Sequence, residues 1–470
     1  LSLRRQRQMC IRDREKGECF YTIGSSGHES NAIFGNIFPL TDIAFLHYRS
    51  GAFFIERSKQ LHNSTPLYDM ALSFMASSED PISGGRHKVI GSKRLNIPPQ
   101  TSTIASHIPK AVGTAFSIDR ARDLDIKERE LVSDGIVLCS FGDASVNHAS
   151  ALSGFNTARW VKSIGGNVPI VFICEDNGYG ISVPTPDNWI ENTFLNQKSI
   201  KYFQCDGLNL IDTIIATQKA QEYCRTKRSP VFLHMKTVRL MGHAGSDIES
   251  SYLSINEIEE TEKNDPLLHS ARIMINNSLL SIDEILTLYE QARTRINYVF
   301  EKATTRPKLV KSSDVMKSIV PHNSKNIVPN PADEKIRAKI FGKEYKRLEQ
   351  PSHMAKLINY ALKDLMLQYE NILVFGEDVA KKGGVYNVTA DLYKQFSIRR
   401  VFNSPLDETS ILGFAAGLAH NGFLPIPEIQ FLAYFHNAED QLRGEAATLS
   451  FFSQGQYLNP MVIRLSLIHI

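Results

Sequence analysis

What the sequence lacks narrows it first. Its six cysteines stand alone at 10, 19, 139, 174, 205 and 224, with no C-x-x-C pair. That excludes a disulfide framework or a zinc site and fits a reducing compartment. No apolar run reaches the roughly 20 residues of a membrane-spanning helix. A net charge of only +3 over 470 residues offers no basic face to nucleic acid or an acidic membrane. No short-period repeat is visible, so a solenoid is excluded. The Arg-rich opening LSLRRQRQMCIRDR (1–14) is followed by no apolar stretch, so it does not read as a secretory signal; a transit peptide stays open, although the run lacks the serine content expected of one. What remains is 42% hydrophobic and 22% charged, an ordinary globular balance in a chain long enough for two or three domains.

Strand-like runs recur at 135–141, 169–174, 230–238, 371–376, 425–431 and 460–465. Between the first two, residues 147–163 have helical spacing, with Ala151, Phe155 and Ala158 on one stripe and Asn147 as the cap. Residues 212–228 read as another helix ahead of a strand. Strand, helix, strand at this pitch predicts parallel βαβ units. After a helical stretch at 268–302, the chain turns rich in Pro, Ser, Asn and Lys from 304, then restarts a helix at 353–369. This predicts a linker at 304–350 between domains at 17–303 and 351–465. The ends, 1–16 and 466–470, read as non-native sequence.

Two strand ends carry chemistry. VFICEDNGYGIS (171–182) runs from a buried strand into acids, an amide and glycines, and SFGDASVN (140–147) does the same before a helix. Ligands of parallel sheets sit beyond the carboxyl ends of strands, and backbone N–H groups at a helix start favour phosphate. Asp143 and Asn177 supply hard oxygen atoms, and a carbonyl of the Gly-Tyr-Gly turn a third, a set suited to Mg²⁺ on a phosphate. Each dipeptide alone is a common turn; the pairing of two strand ends favours a site.

Gly142-Asp143 followed by Asn177-Gly178-Tyr179 resembles the thiamine-diphosphate motif. Together with FYTIGSSGHESN (20–31), HYRSG (47–51), STIASHIPKAVGTAF (102–116) and RLMGHAGSDIESSY (239–252), the region resembles the α subunit of 2-oxo acid dehydrogenase decarboxylating components. ILVFGEDVAKKGGVYNVTADLYKQF (372–396), RVFNSPLDETSILGFAAGLA (400–419) and PEIQFLAYFHNAEDQL (427–442) resemble the β subunit. The chain is therefore similar to an αβ fusion. The implied fold is α/β, a thiamine-diphosphate-binding fold of parallel sheets flanked by helices, in two similar domains with the second incomplete.

The resemblance implies thiamine diphosphate and Mg²⁺ as cofactors. Asp143, Asn177 and the Tyr179 carbonyl would hold the metal. Tyr48, Arg49, Gly142, Ala144, Ser145, Arg239 and His243 would lie at the diphosphate. Ser102, Ile104, Gln430 and Tyr434 would line the rest of the cofactor, with Ile104 propping its bent shape. Glu408 would hydrogen-bond the aminopyrimidine ring, in a pocket walled by Leu406, Ile411 and Leu412 that raises its pKa. His243, on a flexible Gly-rich loop, would donate a proton during acyl transfer. Glu377 and Asp378 read as structural. Branched-chain relatives often carry an arginine two residues before the metal asparagine, touching phosphate. Here Glu175 stands there, which is unfavourable unless it turns outward. Many mitochondrial relatives carry a phosphorylated serine after the histidine, and here it is Ala244.

The implied activity is oxidative decarboxylation of a branched-chain 2-oxo acid, with acyl transfer to the lipoyl group of a transacylase partner, by a homo-oligomer. A pyruvate or acetoin component is the nearer alternative, and a non-catalytic assembly protein on the same fold the farther one. The expected compartment is bacterial-type cytoplasm, or the mitochondrial matrix if the native N-terminus lies upstream. The second active-site histidine and C-terminal domain of the β type are not in the sequence, so this polypeptide alone is expected to be inactive.

Overall fold

The computed structural model describes residues 23–319 and 332–466. The Arg-rich opening, the middle of the expected linker and residues 467–470 fall outside the described residues. Five parallel strands form the first sheet: β1 (Ile43–Phe45), β2 (Val137–Gly142), β3 (Ile170–Asp176), β4 (Lys201–Asp206) and β5 (Val231–Lys236), in the order β1-β2-β3-β5-β4. The central strands are apolar throughout because helices cover both faces. The second sheet has β6 (Ile372–Gly376), β7 (Val401–Asn403), β8 (Leu424–Ile429) and β9 (Arg464–Leu465), in the order β9-β8-β6-β7, again parallel. The run at 460–465 contributes only two residues of strand.

Five helices matter for the site: α1 (His107–Asp123), α2 (Ala149–Ser163), α3 (Leu210–Lys227), α4 (Met354–Gln368) and α5 (Glu408–Ala419). The cap of α2 is His148, whose ring accepts from the Ser150 N–H, and Asn147 instead ends a 3₁₀ turn over Asp143–Asn147. Within the span read as linker, Glu334–Phe341 is helical, and Phe341 packs edge-on against Tyr360 of α4 with centroids 5.6 Å apart.

α1 and α5 join the two sheets. Every residue of α5 except Thr409 is buried, so this helix is apolar on all sides and sits inside a core rather than on a surface. Glycines bring the two backbones together: the Thr114 hydroxyl of α1 donates to the Gly417 carbonyl of α5 at 3.1 Å. One hydrophobic core then runs from Phe141, Phe155 and Phe232 through Phe116 to Phe375, Phe402 and Phe414. A buried ion pair, Lys110 with Glu445, crosses the same seam. Glu445 also accepts from Thr101 at 2.5 Å and from Ser106. Its carboxyl is pushed up by burial, but Lys110 outweighs this and holds it below its ordinary value.

Candidate functional site

The ends of β2 and β3 are neighbours, with Gly142 opposite Glu175, so Asp143 and Asn177 emerge side by side. Asp143 is only 1% exposed. One carboxylate oxygen accepts from the Thr185 hydroxyl at 2.7 Å and the other from the Asn177 N–H at 3.4 Å. Thr185 reaches it because Tyr179–Gly180 and Val183–Pro184 pair as a small hairpin. Gly178, at φ +77°, makes the turn into that hairpin, and Gly180 packs so tightly on Ala144 that a Cβ there would lie 2.8 Å from the alanine methyl. Burial first, and Asp176 second, push the Asp143 carboxyl up to about 6. No lysine or arginine pairs with it among the described residues. A buried carboxylate beside an asparagine and a hairpin of carbonyls, lacking its own cation, fits a hard divalent ion.

Glu175 does not turn outward. It is fully buried, and its carboxylate takes His28 Nδ1 at 2.7 Å and the Asn31 amide at 3.2 Å. The Asn177 Oδ1 accepts from the Tyr179 N–H at 3.1 Å, which leaves Nδ2 facing His28 Nε2 at 3.0 Å. An amide nitrogen only donates, so Nε2 accepts and Nδ1 carries the proton given to Glu175.

A basic group closes over this end. Arg49 donates to the Gly24 carbonyl at 2.6 Å and the His243 carbonyl at 2.9 Å, and its buried Nε has no partner. The rings of Tyr48 and His243 meet edge-on at 5.9 Å. Arg239 donates to the Ile181 carbonyl at 2.5 Å and the Tyr252 hydroxyl at 2.9 Å, and lies 5.3 Å from the Tyr179 ring. The loop carrying His243 is tied down rather than loose: Asp247 accepts from the His243 N–H and from the Tyr252 hydroxyl. Tyr48, Arg49, Asp143, Asn177, Tyr179, Arg239 and His243 thus converge.

Glu408 opens α5 behind its cap, Asp407, and is 7% exposed, with the Asn437 amide 3.3 Å away. Leu406 is 85% exposed and does not wall this pocket; Ile411 and Leu412 are buried. The carboxyl most displaced here is that of Glu377, at the end of β6. Burial, then Glu408 and other acids, push it up to about 7, and its Oε1 has no partner. Reading Glu377 as structural missed this, although the strand-end rule applied to Gly142-Asp143 points equally at Gly376-Glu377.

The two ends meet along α2. Ser410, two residues into α5 from Glu408, bonds Thr157 at 2.8 Å and the Ser153 carbonyl at 3.2 Å, while Ser150 bonds Asp440 at 3.1 Å. Ser153 is four residues, about 6 Å, along α2 from its start just past Asp143. Four expected residues stand apart. Ser102 bonds His87 at 3.1 Å and opens onto a cleft with His436, Glu439 and Arg443. Ile104 is exposed, Tyr434 packs on Phe431, and Gln430 receives Ser466 at its carbonyl. No hydrogen bond or ring contact joins these four to the Asp143 group.

Residues 6–311 match the family model described as dehydrogenase E1 component, and residues 350–467 match transketolase, pyrimidine binding domain. The mouse protein named 2-oxoisovalerate dehydrogenase subunit alpha, mitochondrial, is 26% identical over 273 residues, 57% of this chain and 57% of that protein. Pyruvate dehydrogenase E1 component subunit beta of Staphylococcus epidermidis is 46% identical over 111 residues, 24% of this chain and 34% of its own length. The 3-methyl-2-oxobutanoate dehydrogenase subunit beta of Mycobacterium tuberculosis is 42% identical over 118 residues, 25% of this chain and 34% of its own length. The chain thus spans little more than half of the α relative and a third of each β relative. Among the described residues no helix is long and apolar enough to cross a membrane.

Proposed function

Because this chain belongs to the dehydrogenase E1 component family, joining an α-type and a β-type region in one polypeptide, we propose that it binds Mg²⁺–thiamine diphosphate between its two halves. The protein of which it is a part then decarboxylates a branched-chain 2-oxo acid oxidatively and passes the acyl group to a lipoyl-bearing transacylase. The single observation that carries this reading is the buried Asp143 carboxylate, which has no lysine or arginine partner among the described residues and stands beside Asn177 and the Tyr179–Gly180 hairpin, while Ser410, two residues past Glu408, bonds the helix α2 that follows Asp143 in the chain.

The cofactor, when bound, supplies the carbon centre at which the 2-oxo acid loses CO₂. The chain supplies the rest. Asp143, the Asn177 side chain and the Tyr179 carbonyl hold the metal. The unpartnered Arg49 Nε, the Arg239 guanidinium and the backbone from Gly142 through Ala144 to Ser145 hold the diphosphate, as a cationic, N–H-rich site does. Glu408 hydrogen-bonds the aminopyrimidine ring, and Glu377, pushed up to about 7, stands beside it as a proton store. His243 donates a proton during acyl transfer. Ser102, Ile104, Gln430 and Tyr434 belong to the outer wall in this reading, and the working form is a homo-oligomer.

Calorimetry with Mg²⁺–thiamine diphosphate tests the reading. The chain is expected to bind, and Asp143→Ala to abolish binding without unfolding. No binding by the whole protein would favour a non-catalytic assembly protein. A pyruvate component is the second reading, favoured by the 46% identity of the β-type region to a pyruvate dehydrogenase β subunit. Turnover of 2-oxoisovalerate against pyruvate by the whole protein separates the two.

A further inference from the structure

We infer that His47 is an additional hydrogen-bond donor to the bound diphosphate, taking over the contact that an arginine at position 175 makes in branched-chain relatives. The inference rests on the cofactor reading above. The ring nitrogens of His28 and His47 and a carboxylate oxygen of Glu175 lie within 4.8 Å of one another, all buried. The donor therefore sits where the side chain of residue 175 ends.

Of these three residues only His47 has hydrogen-bonding capacity to spare. Glu175 is occupied by His28 and Asn31. His28 gives Nδ1–H to Glu175 and receives Asn177 at Nε2. His47 is 3% exposed, and neither of its ring nitrogens has a hydrogen-bond partner. An imidazole buried this way leaves a donor and an acceptor unsatisfied, which costs folding free energy and calls for a ligand to complete it. The ring is held in place: the His47 backbone N–H bonds the Ser140 hydroxyl at 2.8 Å, and the Tyr48 ring lies against it, tilted by 44°, with centroids 3.9 Å apart. Its Nε2 looks at the strand end, 3.6 Å from where a Cβ on Gly142 would stand. Gly142 immediately precedes the proposed metal carboxylate, and a Cβ there would stand in ordinary van der Waals contact with the ring, which places His47 directly beside this strand end.

Burial, reinforced by His28, Arg49, His107 and His243, keeps this imidazole neutral. A neutral ring still carries one N–H for an anionic oxygen, and a neutral donor is the one this site can hold beside the Arg49 guanidinium. A transition-metal ion bound by the trio is the competing use of the same atoms. It would require His28 to give up its proton and its bond to Glu175.

The test uses the full chain, with Mg²⁺–thiamine diphosphate and Mg²⁺–pyrophosphate as separate titrants, and the variants H47F and H47Q. H47F keeps the ring and removes both nitrogens; H47Q returns an N–H near Nε2. H47F is expected to weaken both titrants at least tenfold while melting no lower than the unaltered chain without ligand. H47Q is expected to bind within threefold of it. If H47F does not fold, H47M serves the same comparison. Binding by H47F equal to that of the unaltered chain, or H47Q as weak as H47F, overturns the inference and leaves the cofactor reading standing. Failure of the unaltered chain to bind either titrant overturns both. Tight Zn²⁺ binding by the unliganded chain that vanishes in H47F overturns it in favour of a metal site.

Discussion

Replacing Gly417 by alanine tests whether the α1–α5 crossing sets the width of the cleft. An ideal Cβ on Gly417 would lie 2.1 Å from the Lys110 carbonyl oxygen and 2.5 Å from the Thr114 nitrogen. That is about 1.3 Å short of the 3.4 Å at which ordinary contact begins. Both obstacles are backbone atoms of a helix, which cannot rotate away, so the helices themselves must part. Overpacking of this kind costs about 1–3 kcal/mol or more, while alanine in a helix interior returns about 1 kcal/mol relative to glycine. With rigid obstacles the packing term wins, and a net loss of about 2 kcal/mol is expected, read as a lower urea midpoint at unchanged slope. Gly113 faces the Phe414 carbonyl at 2.2 Å on the same seam, so G113A and G417A should be non-additive: once one has opened the seam, the second meets less resistance. Mg²⁺–thiamine diphosphate affinity should fall in step, because the halves that grip the cofactor have moved apart. A G417A chain as stable as the parent or more so, showing only the helix-propensity gain, would refute the reasoning.

Three further outcomes are expected. The Asp143 carboxyl, pushed up to about 6, must lose its proton to ligate a metal. Calorimetric Mg²⁺ affinity should therefore fall about tenfold per pH unit below 6 and level off above it, and a flat profile between pH 5 and 7 would count against Asp143 as ligand. The folded-state pKa of Glu377 lies near 7, above its ordinary 4.5, so the folded chain holds this proton more tightly than the unfolded one. Its stabilising contribution is then complete below pH 4.5 and lost as pH rises through 7; urea midpoints of E377Q should gain on those of the parent over that interval, and parallel profiles would contradict the assignment. Finally, E175R, which copies the branched-chain arginine, should lose about 3–5 kcal/mol of stability. It strands the donors of His28 and Asn31 against a buried guanidinium near Arg49. A stable E175R with tighter cofactor binding would show that Glu175 is not built into this core.

Central strands were legible because a strand covered on both faces is largely apolar, as 137–141 and 170–174 are, the acids Glu175 and Asp176 coming only where the strand ends. Edge strands were not. Lys201–Asp206 alternates exposed and half-buried positions at the end of its sheet and looks like polar coil in sequence. Ile43–Phe45 is too short to show a period. The cap of α2 went to His148 because the intervening residues wind into a 3₁₀ turn, a local choice that cap preferences do not encode. Within the site, Asp143 and Asn177 were readable as paired strand ends. Leu406 was misplaced because adjacency in sequence says nothing about which side of a helix start faces water. Glu377 was passed over because its displaced pKa arises first from burial and then from Glu408, an acid brought to it by another element, and neither is visible in the local sequence.

Glu175 shows why a departure from a family pattern cannot be judged one residue at a time. A carboxylate at a diphosphate site is unfavourable in isolation, yet this one is hydrogen-bonded by His28, 147 residues earlier in the chain, and by the Asn31 amide. The same histidine fixes the Asn177 amide, since the Tyr179 N–H claims Oδ1 and only Nδ2 is left to face the ring. With an arginine at 175, His28 would lose its acceptor and could swing to the other tautomer, and then Nε2–H would confront the amide N–H₂ and turn it over. Glu175 and His28 therefore stand or fall together as the support for the Asn177 oxygen that we propose ligates the metal. Moving positive charge off position 175 leaves the anion-binding duty to groups that do not touch Asn177, among them Arg49, whose Nε is unpaired, and His47, both of whose ring nitrogens are.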